Sequence, residues 1–285
     1  MFKPIVYFMF LTLTACGDSG MTEKKPSIKF KVDSQISEAL SASSVDFKKD
    51  CMLGLCLYKF GLAFSEPLRA NLVVDSNTGT LEFNDTISTT LRTFEGEIID
   101  KANVTLGGIE PESKHTQAIE YFYEQIEKLR KNGWHRYIFP NEARVPGSQA
   151  KEFENPRSIL GEPVGTGPWN DPALRLTTEE WLAMPMFSSW YFYKDGVHLL
   201  LRVQREKSES EPQERGSYLF TLTFESESEF FKGFVDNEKR EKWKILLPAE
   251  LKRMAQERAQ TEARLKKMGI AIDETYQDPP IKALE

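Results

Sequence analysis

Between residues 217 and 225 the chain alternates strictly, with Tyr218, Phe220, Leu222 and Phe224 on one side and Leu219, Thr221 and Thr223 on the other. A period of two suits a strand with one face in a core. Earlier, Ile119, Phe122, Ile126 and Leu129 recur at steps of three and four, with Tyr123 beside them. That is the period of an amphipathic helix. No single element satisfies both periods, and the chain groups them in blocks instead of alternating them. The expected class is therefore α+β, with antiparallel sheet or sheets, a central amphipathic helix and a long C-terminal surface helix.

The rest of the chain fills in around these two segments. Strands are expected at 57–64, at 71–75 and 80–83 across the turn Ser76-Asn77-Thr78-Gly79, and at 87–93 and 97–106. The central helix should cover 113–132 and stop at Gly133, with a short strand at 134–139 after it. Thr177-Thr178-Glu179-Glu180 reads as a capping box opening a short helix that Pro185 ends. A three-strand meander follows at 189–193, 197–205 and 217–225, then a helix around Phe230, Phe231 and Phe234. Pro248 suits the first residue of the final helix, which runs to Met268 and closes at Gly269. Leu251, Met254, Leu265 and Met268 would form its thin contact stripe.

Residues 140–175 fit neither period. They carry Pro146, Pro156, Pro163, Pro168 and Pro172, with Phe153, Ile159, Val164 and Trp169 interleaved. A connection of this length inside a compact domain is uncommon and is usually either functional or disordered. The apolar residues argue for an ordered loop on the body. It is also where two subdomains would divide. Trp169 either plugs the edge of the core or is the candidate anchor for a partner, with Arg157 and Arg175 as charged contacts at its rim.

The N-terminus carries an address. One cation, Lys3, precedes an apolar run over 5–13 that is too short to span a bilayer, and a small-residue site follows, the layout of a secretory signal peptide. Leu13-Thr14-Ala15-Cys16 resembles the lipobox of bacterial lipoproteins. The resemblance implies cleavage before Cys16, lipidation of its sulfur and anchoring by acyl chains. Gly17, in place of a retaining aspartate, points by the same resemblance to the outer membrane over the inner one. The expected organisation is a signal peptide at 1–15, a lipidated N-terminus and flexible spacer at 16–33, and a globular α+β body at 34–285.

Composition narrows the partners. With 40% hydrophobic and 28% charged residues the body is globular, not disordered. A net charge of -6 argues against nucleic acid and against broad adhesion to anionic lipid. Cys16 taken as the lipid site, Cys51 and Cys56 remain, bracketing Met52-Leu53-Gly54-Leu55. They are either a disulfide or two buried thiols, and an exported location favours the disulfide.

No catalytic motif is present. There is no Gly-x-Ser-x-Gly elbow, and the three histidines have no helical ligand spacing. His115 and His198 are expected to be exposed polar residues and His135 a packed structural one. Asp75-Ser76-Asn77-Thr78-Gly79 starts like a calcium loop but has Thr86 where the closing glutamate belongs. The glycines at 161–167 lack the Lys-Ser/Thr ending of a phosphate loop. No metal, cofactor or enzymatic activity is expected. What remains is a tethered protein-binding module. In its lipobox, spacer and α+β body it resembles immunity proteins that neutralise secreted antibacterial toxins, such as those of type VI secretion. An envelope-assembly lipoprotein is the alternative, and an envelope hydrolase the third reading.

Overall fold

The computed structural model describes residues 25–284. In chain order the first elements are β1 (Ser27–Lys31), α1 (Ile36–Ala42), β2 (Lys48–Met52), β3 (Leu55–Gly61), β4 (Ala70–Ser76), β5 (Gly79–Phe94) and β6 (Ile99–Leu106). Then come β7 (Ser113–Lys114), α2 (His115–Lys131), β8 (His135–Arg136), β9 (Ser158–Ile159), β10 (Glu162–Pro163) and α3 (Thr178–Ala183). The last are β11 (Phe187–Lys194), β12 (Val197–Lys207), β13 (Arg215–Ser226), α4 (Glu227–Lys232) and α5 (Trp243–Lys267). The class is α+β.

One sheet dominates, in the order β1-β4-β5-β6-β13-β12-β11-β8. All its pairings are antiparallel except β1 with β4. The long β5 serves two neighbours on one edge. Its first half pairs with β4 and its second half with β3, which in turn pairs with β2. The alternation in β13 is as expected, with Tyr218, Phe220, Leu222 and Phe224 all buried. Their side chains meet α2, where Tyr121 lies edge-on to Phe220 with ring centroids 5.0 Å apart. Phe122 packs 4.4 Å from Trp190 and 5.1 Å from Trp181. The capping box also forms: Thr177 Oγ1 accepts the Glu180 N–H and Glu180 accepts the Thr177 N–H. Gly133 closes α2 and Gly269 follows α5, both with the positive φ that glycine tolerates.

Three expectations need correction. Residues 27–31, assigned to the spacer at 16–33, form β1, with Ile28 and Phe30 buried. The alternating Lys29 and Lys31 disguise a strand as a polar linker. Helix α5 begins at Trp243, so Pro248 lies inside it. Trp243 and Leu247, four residues apart and buried against Phe230 and Phe231, dock that additional turn. The contact stripe of α5 is also different. Leu247, Met254, Arg258, Glu262 and Leu265 are its buried face, whereas Met268 is 62% exposed.

Cys51 and Cys56 face each other across the β2–β3 hairpin and are bridged. Reduction is expected to lower stability by about 2 kcal/mol, the entropy of so small a loop. Alkylation of the unreduced, denatured protein should label neither sulfur. Labelling of both would show the bridge does not form.

Among the described residues no helix is long and apolar enough to cross a membrane.

Candidate functional site

The irregular segment 140–175 is held by buried ionic groups together with an apolar cluster in which Ala143, Val145 and Ile159 meet Leu265 of α5 and Ile270. Arg136, on β8, reaches into it. Its guanidinium donates to Asp171 at 2.8 Å, to the Thr166 carbonyl at 2.8 Å and to the carbonyls of Val145 and Gly167 at 3.2 Å each. Burial pushes its pKa below the ordinary guanidinium value, and the Asp171 carboxylate counters that. The Asp171 carboxylate also accepts the N–H of Gly147 at 2.7 Å and of Ala173 at 2.8 Å.

Glu142 is the second centre. Its carboxylate accepts the N–H groups of Gly165 and Thr166, both at 2.7 Å, and the Thr166 hydroxyl at 2.6 Å. Burial raises its pKa above the ordinary carboxylate value, against those three hydrogen bonds. From α5, Arg258 donates to the carbonyls of Glu142 at 2.9 Å and Phe139 at 2.8 Å, and to both carboxylate oxygens of Asp278. Glu262, one turn on, pairs with Arg144 at 2.7 Å. The segment is thus fixed to the sheet and to α5 at once.

Two open clefts flank Asn141 and Glu142, each of about 600 Å³. One has an aromatic floor of Phe139, Tyr191, Phe230 and Phe234. Much of its charged rim is internally paired, with Arg92 on Asp100 and Glu229 at 2.9 and 2.7 Å and Lys101 on Glu225 at 2.6 Å, while Arg240 also lines it. The other lies between the β9–β10 hairpin and α5, lined by Ile159 and Val164 against Glu257, Gln260 and Arg264. Open clefts that mix aromatic or aliphatic patches with charged and polar side chains have the make-up of a non-obligate protein-recognition surface.

The candidate residues named from sequence are scattered. Cys16 lies outside the described residues. Trp169 is half-buried against the main core, and its indole N–H donates to the Phe153 carbonyl at 2.9 Å. Arg157 is exposed near the β9–β10 hairpin. Arg175 is exposed too, its guanidinium 4.7 Å from the centre of the Tyr123 ring. No hydrogen bond, ion pair or ring contact joins the three.

All three histidines reverse their expected settings. His115 is buried, its Nδ1 2.5 Å from the Tyr218 hydroxyl and its Nε2 3.2 Å from the Pro212 carbonyl. Pairing of β7 with β13 draws this helix start inward. His198 is buried because α4 covers the face of β12 opposite the core: its ring stacks on Phe230 with centroids 3.6 Å apart. His135 is exposed, since Trp134 beside it takes the inward position. Among the described residues, no group of three or more His, Cys, Asp or Glu side chains could hold a metal ion.

Comparison with protein-family models, with curated proteins and with solved structures finds no match for this chain.

Proposed function

We propose that this chain is an envelope lipoprotein that acts by binding another protein, with the clefts beside Asn141 and Glu142 as its contact surface. The observation that carries the reading is the anchoring of segment 140–175. A long, proline-rich stretch is held rigid by Arg136, Glu142, Asp171 and Arg258 while its outer side lines two open clefts. A surface ordered in advance loses less entropy when a partner docks. The net charge of -6 favours a basic partner and speeds its encounter.

The most specific form is an immunity protein that occludes the active cleft of a secreted antibacterial toxin. Acyl chains on Cys16 would tether it in the envelope, facing the periplasm and more favourably at the outer membrane. A deletion strain should then die only beside siblings that deliver the toxin encoded next to this gene. Cys16→Ser should abolish acyl labelling and membrane fractionation of the mature protein. In vitro, Gln260→Arg on the exposed side of α5 should weaken toxin binding at least about tenfold, the weight of one central contact, without moving the thermal melt. Envelope defects in the deletion strain without any attacker would favour the assembly role instead.

A further inference from the structure

The β2–β3 hairpin ends in an apolar tip that the body does not use. Met52 is 71% exposed and Leu53 is 92% exposed, with Phe94 and Ile98 part-exposed on the neighbouring edge. Leu55 pairs with Phe94, so these side chains gather at one end of the sheet. Single exposed apolar residues are ordinary, but a contiguous group is not.

The turn itself is the stronger observation. Leu53 and Gly54 have φ of 50° and 79°, the two left-handed positions of a tight hairpin. That geometry favours Asn-Gly or Asp-Gly, and it strains a leucine. The β9–β10 hairpin offers a direct comparison, since Leu160 there also has a positive φ, of 53°, ahead of Gly161. Leu160 packs against the cluster of Ala143, Val145 and Ile159, which explains its apolar side chain. Leu53 packs against nothing comparable. A strained, water-exposed leucine directly above a disulfide is held out for something outside the body.

The end at which the chain enters β1 bears on what that is. Strand β1 starts opposite Asn71 of β4, whose neighbours face Phe83 and Thr86 of β5. Lys25 and Pro26 therefore precede β1 on its side toward the far end of β5, where Phe94 pairs beside the tip. From that exit to Leu53 is about eleven ladder positions, or roughly 36 Å. From Pro26 back to Cys16, a fully extended chain reaches at most about 33–36 Å. An acyl anchor on Cys16 and the hairpin tip can thus meet one plane when the tether is at full stretch or the sheet leans toward the surface. Around the tip Lys48, Lys49 and Lys59 are offset by Asp50, Glu95 and Glu97, with Lys59 paired to Asp50 at 3.0 Å. Contact would therefore rest on apolar insertion and not on anionic lipid.

We propose that the stapled tip Met52-Leu53 seats in the acyl–headgroup boundary of the membrane that anchors the chain, orienting the body with this end of the sheet down. The inference rests on acylation of Cys16. So small an apolar tip binds bilayers weakly alone, and the acyl chains keep the body at the surface while the tip engages.

The test uses acylated, mature protein in phosphatidylcholine vesicles containing dibrominated phosphatidylcholine. Leu53→Trp should add emission that is blue-shifted and lost to the bromolipid. Met186→Trp, at another exposed apolar site near the opposite end of the sheet, should add emission that is not. Acylated Leu53→Trp whose added emission survives overturns the inference and leaves the anchor standing, including the case in which the tip engages a protein. Equal loss at both positions overturns it as well, because the body would then lie on lipid without orientation. Absence of acyl label on wild type overturns the anchor and the inference together.

Discussion

Replacing His198 by phenylalanine is expected to stabilise the protein at neutral pH and to flatten its loss of stability in acid. The His198 ring is enclosed by Tyr137, Tyr193, Phe230 and Phe231, and neither ring nitrogen has a hydrogen-bond partner among the described residues. Buried polar atoms without partners cost about 1–3 kcal/mol, and phenylalanine keeps the stack on Phe230 while removing them. Burial also pushes the imidazole pKa down, from the ordinary 6.5 to about 3. The folded-state value is the lower one, so the unfolded chain takes up the proton first. The contribution of neutral His198 is complete above pH 6.5 and is lost as pH falls toward 3. At about 1.36 kcal/mol per pH unit the whole interval is on the order of 5 kcal/mol, about 2 kcal/mol of it by pH 5. Urea unfolding of both proteins from pH 7.5 to pH 4.5 measures this directly. Parallel curves would assign the acid loss to other groups.

The same histidine shows where sequence stops being informative. The period of β13 and the stripe of α2 were legible because one face of each is buried and the residues there are apolar. His198 breaks that rule because both faces of β12 are covered at this point, by the main core on one side and α4 on the other. Adjacent residues His198 and Leu199 are then both buried, and alternation cannot say so. Helix α5 shows a different blindness. Its buried positions keep steps of three, four and seven, but Arg258 and Glu262 occupy two of them. A pattern read for hydrophobicity sees a solvated face there. Those charges are interior because each has a specific partner, Asp278 for Arg258 and Arg144 for Glu262, far away in sequence or outside any periodic element. The candidate site was half legible for this reason. Segment 140–175 stood out through its prolines and its lack of period. The residues that fix it, Arg136, Glu142 and Asp171, carry no local signal that separates them from surface charge.

Arg136→Met should be the most destabilising substitution near that segment, at about 3–5 kcal/mol, the scale of breaking a buried pair by removing one partner. Methionine keeps most of the side-chain stem, so packing changes little and the loss reads the guanidinium. Its removal leaves Asp171 with the N–H groups of Gly147 and Ala173 but no cation, and leaves the carbonyls of Val145, Thr166 and Gly167 without that donor. Adding Asp171→Asn removes the stranded charge, and the double variant should lose less than the sum of the two singles by about 0.5–3 kcal/mol. Additive losses would mean that the pair is not coupled and that the carbonyl contacts carry the effect. Hydrogen exchange locates the damage. Amides of Gly147, Gly165 and Thr166 should lose protection first, while those of β6 and β13, which form the centre of the sheet, keep theirs. If the lining of the two clefts is ordered through Arg136, partner affinity should fall in the same variant even at temperatures where it remains folded. Intact affinity with lost protection at these amides would place the contact surface elsewhere on the body.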